Sequence, residues 1–203
     1  MEKANNRRAD IMKAAIELVA EDGISAVTTR RVAERAGVSD GLMYRFFKSK
    51  EDLLVACLYQ ITDNITENLH GFMEIQAENV EEYKKEVRNR WNVFFNCLLE
   101  NVSDTLFFHE YANSASMLKL TREGKFHVTD FTRMLSERLG AANADYTNVT
   151  EKDIPYFWIY YVHVSMLFAV RIIRGELPDT EESKEKIWKI LARGISNFLI
   201  EEK

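Results

Sequence analysis

The sequence predicts an all-α protein, and three observations carry that prediction. Only two prolines and eight glycines interrupt 203 residues, so long segments lack the residues that break helices. Apolar side chains recur at three- and four-residue steps along most of the chain, the spacing that gathers one face of a helix. The breaks between periodic segments are short: a polar pair at Glu78 and Asn79, an Ala/Asn/Thr-rich loop at 140–150, and a Gly- and Pro-marked turn at 175–179. Side chains are 46% hydrophobic, enough for a sizeable core in one or two domains.

The first helix is expected over residues 8–21, with Ile11, Ala14, Ala15, Leu18 and Val19 along one stripe. Thr28 and Thr29 then offer N-cap oxygens to a short helix from about 29 to 36, whose apolar positions are Val32, Ala33 and Ala36. Gly37 stands where a left-handed residue commonly ends a helix, Val38 is expected to be buried, and Ser39 caps a second short helix from Asp40 to Phe47. Two short helices joined by a turn of three or four residues form a helix-turn-helix, whose second helix enters the DNA major groove. At 100° per residue Gly41, Tyr44, Arg45 and Lys48 fall on one side of that helix, with Met43 and Phe47 opposite. One face packs and the other docks. Gly41 permits close approach, Arg45 reads base edges, and Tyr44, Lys48 and Lys50 hold phosphates. Thr28, Thr29 and Arg30 are candidates for backbone contacts from the preceding helix, and Ser39 for a phosphate contact besides its cap. Leu42 is placed to touch a thymine methyl.

Ser49, with Glu51 and Asp52 behind it, reads as the capped start of a helix running from Lys50 to about Gly71. Further helices are expected at Val80 to Glu100, Asp104 to Ala115, Ser116 to Leu139, Glu151 to Arg174 and Thr180 to Glu202. Charge divides along the same line. Residues 1–50 hold ten Lys or Arg against seven Asp or Glu, a net of +3; the rest hold 17 against 25, a net of −8. Such a chain touches DNA with one end and holds the other away from it; the overall −5 argues against a general nucleic-acid coat. Arg30, Arg31 and Arg35 would by default solvate a helix face, but as a group inside the helix-turn-helix they are expected to serve DNA binding.

Residues from about Asn6 to Thr66 resemble the DNA-binding domain of the tetracycline-repressor (TetR) family of bacterial transcriptional regulators. The likeness rests on Ile11, Ala14, Ala15, Leu18 and Gly23, then Thr29, Val32, Ala33 and Ala36, and on Ala-Gly-Val-Ser at 36–39, Gly41 with Tyr44, and Phe47 with Lys50 and Leu53. Two positions depart from the pattern: Phe46 stands where relatives often carry His or Tyr, and Lys48 where Pro is frequent. The resemblance implies about nine helices: a helix-turn-helix DNA-binding domain over 1–49 and a helical regulatory and dimerisation domain over 50–203. It also implies a repressor that binds an inverted-repeat operator as a homodimer and answers a small molecule, whose binding moves the helix beginning at Lys50. An activator, or a regulator needing a co-repressor, would have the same DNA end; a protein-binding adaptor and an enzyme are more remote readings.

The last two helices bear on the dimer. In the final one Ile187, Ile190, Leu191, Gly194, Ile195, Phe198 and Leu199 form a stripe that either covers the protein's own core or meets a second subunit. The helix before it is apolar nearly all round and needs cover on more than one side, as a four-helix interface with two helices from each subunit provides. Ile187, Leu191, Gly194, Ile195 and Phe198 are the interface candidates. The chain's middle is crowded with aromatics among which a few polar groups sit, the composition of a small-molecule pocket. Its candidate lining is Trp91, Phe95, Phe108, His109, Tyr111, Phe131, Trp158, Tyr161 and His163, with core packing the alternative for each. Asn92, Asn96, Asn113 and Ser165 are further polar candidates.

No catalytic residues, metal ligands or cofactor are expected. His70, His109, His127 and His163 form no pair at i, i+3 or i, i+4, and no phosphate loop or nucleophile elbow occurs. Cys57 and Cys97 alone make no disulfide framework, and no N-terminal apolar run reads as a secretion signal, so a cytoplasmic protein is expected. The uncharged stretch Pro155 to Val170 contains His163 and reads as a buried helix in place of a membrane span.

Overall fold

A computed structural model describes residues 2–69, 75–124, 146–150 and 152–196. Among them are nine α-helices: α1 (Glu2–Asp22), α2 (Thr29–Arg35), α3 (Asp40–Phe46), α4 (Lys50–Leu69), α5 (Val80–Glu100), α6 (Val102–Ala112), α7 (Ala115–Arg122), α8 (Ile154–Ile173) and α9 (Glu181–Ile195). A 3-10 helix (Ile24–Ala26) joins α1 to α2, and the described residues contain no strand. The chain divides into two compact units, one of residues 1–64 with 101–125, the other of 65–100 with 126–203.

The first unit is built on α1. Its predicted stripe is buried, and Met12 and Ile16 join it, because α1 packs against both α2 and α6. Thr28 Oγ1 accepts the Arg31 N–H at 3.2 Å and Ser39 Oγ accepts the Leu42 N–H at 3.3 Å, so both helices of the helix-turn-helix carry the caps the sequence proposes. Gly37 has φ +63°, which an L side chain adopts only at a cost, and it reverses the chain out of α2. Val38 is only half-buried, against expectation. Its amide bonds the Ala33 carbonyl at 3.0 Å, closing the turn through the backbone instead of the side chain.

Helix α6 begins at Val102, two residues earlier than expected, with a single residue, Asn101, between it and α5. Helix α7 starts one residue before expectation because Ser114, not a later residue, caps it by accepting the Met117 N–H at 3.2 Å. A turn at Glu123 and Gly124 ends it at Arg122, so the continuous helix expected from Ser116 to Leu139 is broken there. The stretches expected as helix beyond Leu69, Gly124 and Ser196, and the loop over 140–145, lie outside the described residues.

The second unit packs α5 and α9 against α8. Trp158, Tyr161, Val162, Ser165, Met166, Ala169 and Val170 form the buried side of α8. The segment Tyr156–Ile173 is long and apolar enough to cross a membrane by length and composition; here that buried side meets the core of the second unit. In α9 Ile187, Leu191 and Ile195 are 3%, 0% and 5% exposed. These interface candidates therefore lie in this chain's own core, and Phe198 lies outside the described residues. Gly194 does admit a close neighbour, but that neighbour is this chain's own Tyr160: a Cβ there would collide with the Tyr160 ring, whose hydroxyl donates to the Ile190 carbonyl at 3.2 Å. The apolar residues that α8 and α9 leave exposed are Tyr156, Ile159, Leu167 and Ile190.

Candidate nucleic-acid interface

Helix α3 is a seven-residue helix with two unlike faces. Met43 and Phe47 are 0% and 2% exposed, each worth roughly 1.5–3 kcal/mol of burial, and the Arg8 guanidinium lies 5.1 Å over the Phe47 ring. Gly41, Tyr44 and Arg45 are exposed on the opposite face, as the helical wheel predicts; Lys48 is exposed too, but the helix ends at Phe46 and Phe47 is extended, so Lys48 follows the helix and does not share its face. Beyond Gly41 a Cβ would meet nothing within 4 Å, so the helix surface there is open. Leu42 and Phe46, the two residues at its flanks, are half-buried.

Hydroxyls and cations converge on that open face. Tyr44 is 53% exposed and its hydroxyl stands 3.3 Å from Thr29 Oγ1, which joins the start of α2 to the middle of α3. Thr28 and Ser39 use an oxygen lone pair for their caps and keep a hydroxyl proton to donate. Arg45 and Lys48 reach solvent without an acid on either side chain among the described residues, so each presents its whole charge.

The arginines of α2 are engaged differently. Arg30 Nε donates to Glu34 at 2.9 Å. Arg31 donates to the Ala26 carbonyl at 2.9 Å and to Asp22 at 2.5 Å, and Arg35 donates to Glu21 at 2.5 Å. The hydrogen bond from Arg35 holds the Glu21 carboxyl below its ordinary range, and the same bond raises the guanidinium. Arg31 and Arg35 thus fasten α2 to the end of α1, a use that a count of basic residues does not reveal. Lys50 also departs from its expected role: its ammonium donates to the Ile24 carbonyl at 3.0 Å in a half-buried setting.

The pocket candidates fall into both units. Phe108, His109 and Tyr111 belong to α6 in the first unit, where Tyr111 is fully buried and its hydroxyl donates to Glu51 at 2.9 Å. Trp91, Phe95, Trp158 and Tyr161 are buried in the second unit and pack ring on ring: Trp91 on Phe95 at 4.7 Å, and Trp158 edge-on to Tyr161 at 5.6 Å. The indole of Trp91 donates to buried Ser165 at 3.1 Å, which makes that serine a partner within the core. Asn96 accepts from Lys184 at 3.1 Å, Asn113 donates to the His109 carbonyl at 2.8 Å, and His163 is exposed on the outer side of α8. Phe131 lies outside the described residues. Sequence reasoning missed Arg88, whose guanidinium stacks on Trp91 and Trp188 and donates to Glu185 at 2.9 Å. Trp91 is three residues along the same helix, but Glu185 and Trp188 belong to α9, 97 positions or more away, beyond any local pattern.

Residues 11–57 match the profile of the family described as bacterial regulatory proteins, tetR family. The fatty acid metabolism regulator protein of Bacillus subtilis (strain 168) is 32% identical over 82 residues, 40% of this chain and 39% of that protein. The chain therefore matches about two fifths of that relative's length. A TetR family transcription regulator from Marinobacter aquaeolei VT8 superposes with a TM-score of 0.73 at 18% identity, covering 99% of this chain and 100% of the other. The fatty acid degradation regulator FadR from Bacillus halodurans gives 0.67 at 18% identity, over 93% and 96%. Residues 11–57, which hold α2 and α3, thus resemble the tetR family of bacterial regulatory proteins, and the solved structures share the fold of this chain over nearly its full length.

Proposed function

We propose that this protein is a homodimeric, cytoplasmic transcriptional repressor that reads an inverted-repeat operator with α3 and releases it on binding a small molecule. The observation that carries the reading is the outer face of α3 and its exit, where Gly41 leaves room for a groove wall and Arg45 and Lys48 carry charge that no acid among the described residues pairs with. Arg45 reads base edges, Lys48 and Tyr44 with Thr29 hold phosphates, and Leu42 meets a thymine methyl. A second copy docks on the apolar residues that α8 and α9 leave exposed, Tyr156, Ile159, Leu167 and Ile190, and sets the two reading helices about 34 Å apart or somewhat more. The effector is an apolar or aromatic molecule held among the aromatics of the second unit, and a coupling of about 1 to 3 kcal/mol changes operator affinity by roughly 5- to 150-fold.

Selection of bound sites from random DNA tests the reading. An inverted repeat is expected; no enriched sequence would refute a sequence-specific regulator. An activator or co-repressor-dependent regulator would reveal itself by the sign of the effector's influence on operator binding.

A further inference from the structure

The first turn of α4 is tied to four neighbours within the first unit. Lys50 reaches the 3-10 helix at Ile24, as described. Ser49 Oγ accepts the Asp52 N–H at 3.1 Å, and Asp52 Oδ2 accepts the Lys48 N–H at 2.9 Å, so the exit of α3 is stitched to the entry of α4. Glu51 makes the long-range tie. Its Oε1 accepts from the Tyr111 hydroxyl of α6 at 2.9 Å and its Oε2 from the Ser116 hydroxyl of α7 at 3.2 Å, across 60 and 65 positions of sequence. The Tyr111 ring is fully buried and stacks on Phe107 at 5.6 Å, nearly parallel, so its hydroxyl is held in place. Farther along α4, Asn64 bonds Asp104 in the first turn of α6.

We propose that Glu51 is a positioning residue for DNA reading: the Tyr111–Glu51–Ser116 clamp fixes the first turn of α4, and through Lys48 the exit of α3, against α6 and α7. The proposal rests on the reading of α3 as the DNA-reading helix. Base contacts demand a fixed approach of Arg45 to a base edge, whereas a phosphate contact by Lys48 tolerates displacement. Cutting the clamp therefore lowers discrimination more than it lowers affinity for arbitrary DNA. A carboxylate between two hydroxyl donors is suited to the task, since charge-assisted bonds are the shorter and stronger ones.

The test compares wild type, Tyr111→Phe, Ser116→Ala, Glu51→Ala and Glu51→Gln for binding to an operator found by selection and to scrambled DNA. Tyr111→Phe and Glu51→Ala should lower the operator-to-scrambled affinity ratio by about tenfold, the scale of one charge-assisted hydrogen bond, while scrambled binding stays constant. Glu51→Gln keeps an acceptor for Tyr111 and should recover most of the ratio. Leu98→Ala, a cavity in the second unit and outside the clamp, supplies a destabilised control whose ratio should equal wild type. The proposal is overturned if Tyr111→Phe and Ser116→Ala both keep the wild-type ratio, or if Leu98→Ala loses as much. Should Tyr111→Phe not fold, Ser116→Ala and Glu51→Gln decide alone. Absence of any selected sequence for wild type would instead sink the DNA-reading function.

Discussion

Lys48→Ala isolates one charge on the reading face, and the structure supplies the comparison that makes its effect interpretable. Lys48 is exposed and carries no acid on its ammonium among the described residues, while Arg30, equally exposed, is joined to Glu34 at 2.9 Å. A cation that neutralises one phosphate contributes about 0.9 to the slope of log affinity against log salt, so the proposed dimer should lose about 1.8 of slope on Lys48→Ala. Between 50 and 200 mM salt the wild type should then lose about twelvefold more affinity than the variant. Arg30→Ala/Glu34→Ala removes a pair with no net charge and should leave the slope where it was. Fluorescence anisotropy with labelled operator at four or five NaCl concentrations measures both. An unchanged slope in Lys48→Ala, or an equal fall in the pair deletion, would refute the assignment of free and engaged cations.

Arg45→Ala should cost about 1–3 kcal/mol on operator and relax preference at one base position, read by repeating the site selection with the variant. Gly37→Ala forces a Cβ into φ +63° and should destabilise the folded protein by about 1–2 kcal/mol in urea titrations, with no clash to relieve because the space around it is open. Burial pushes the Cys57 thiol from 9.0 to about 12 and the Tyr83 phenol from 10.0 to about 12. Both groups fold in the protonated form, so their contribution is intact below pH 9 and lost as pH rises toward 12; the urea midpoint should fall over that window, and less steeply in Cys57→Ala.

What the sequence reveals about this protein is what local geometry decides. The caps at Thr28 and Ser39, the left-handed turn at Gly37 and the two faces of α3 each depend on residues within four positions of one another, and the structure has all of them. Long-range choices were hidden. Nothing near Arg31 or Arg35 announces that Asp22 and Glu21, across the turn out of α1, will engage them. The apolar stripe of α9 shows that Ile187, Leu191 and Ile195 need burial but not against which copy of the chain, and their own α8 suffices. The same limit applies to Tyr111, whose aromatic character marks it equally for a pocket wall and for the hydroxyl that grips Glu51.

The internal pairing of the α2 arginines bears on how such a protein would search a chromosome. A reader whose cations all faced outward would adhere to every stretch of duplex, and a genome offers roughly 10⁶–10⁹ competing sites. With Arg30, Arg31 and Arg35 answered by Glu34, Asp22 and Glu21, background adhesion should be lower, while Arg31 and Arg35 still hold α2 in place. Occupancy of the right site then depends on discrimination at α3 more than on total grip, and a charge-reversing change at Glu21 or Asp22 would blunt the protein by making it bind more DNA, not less.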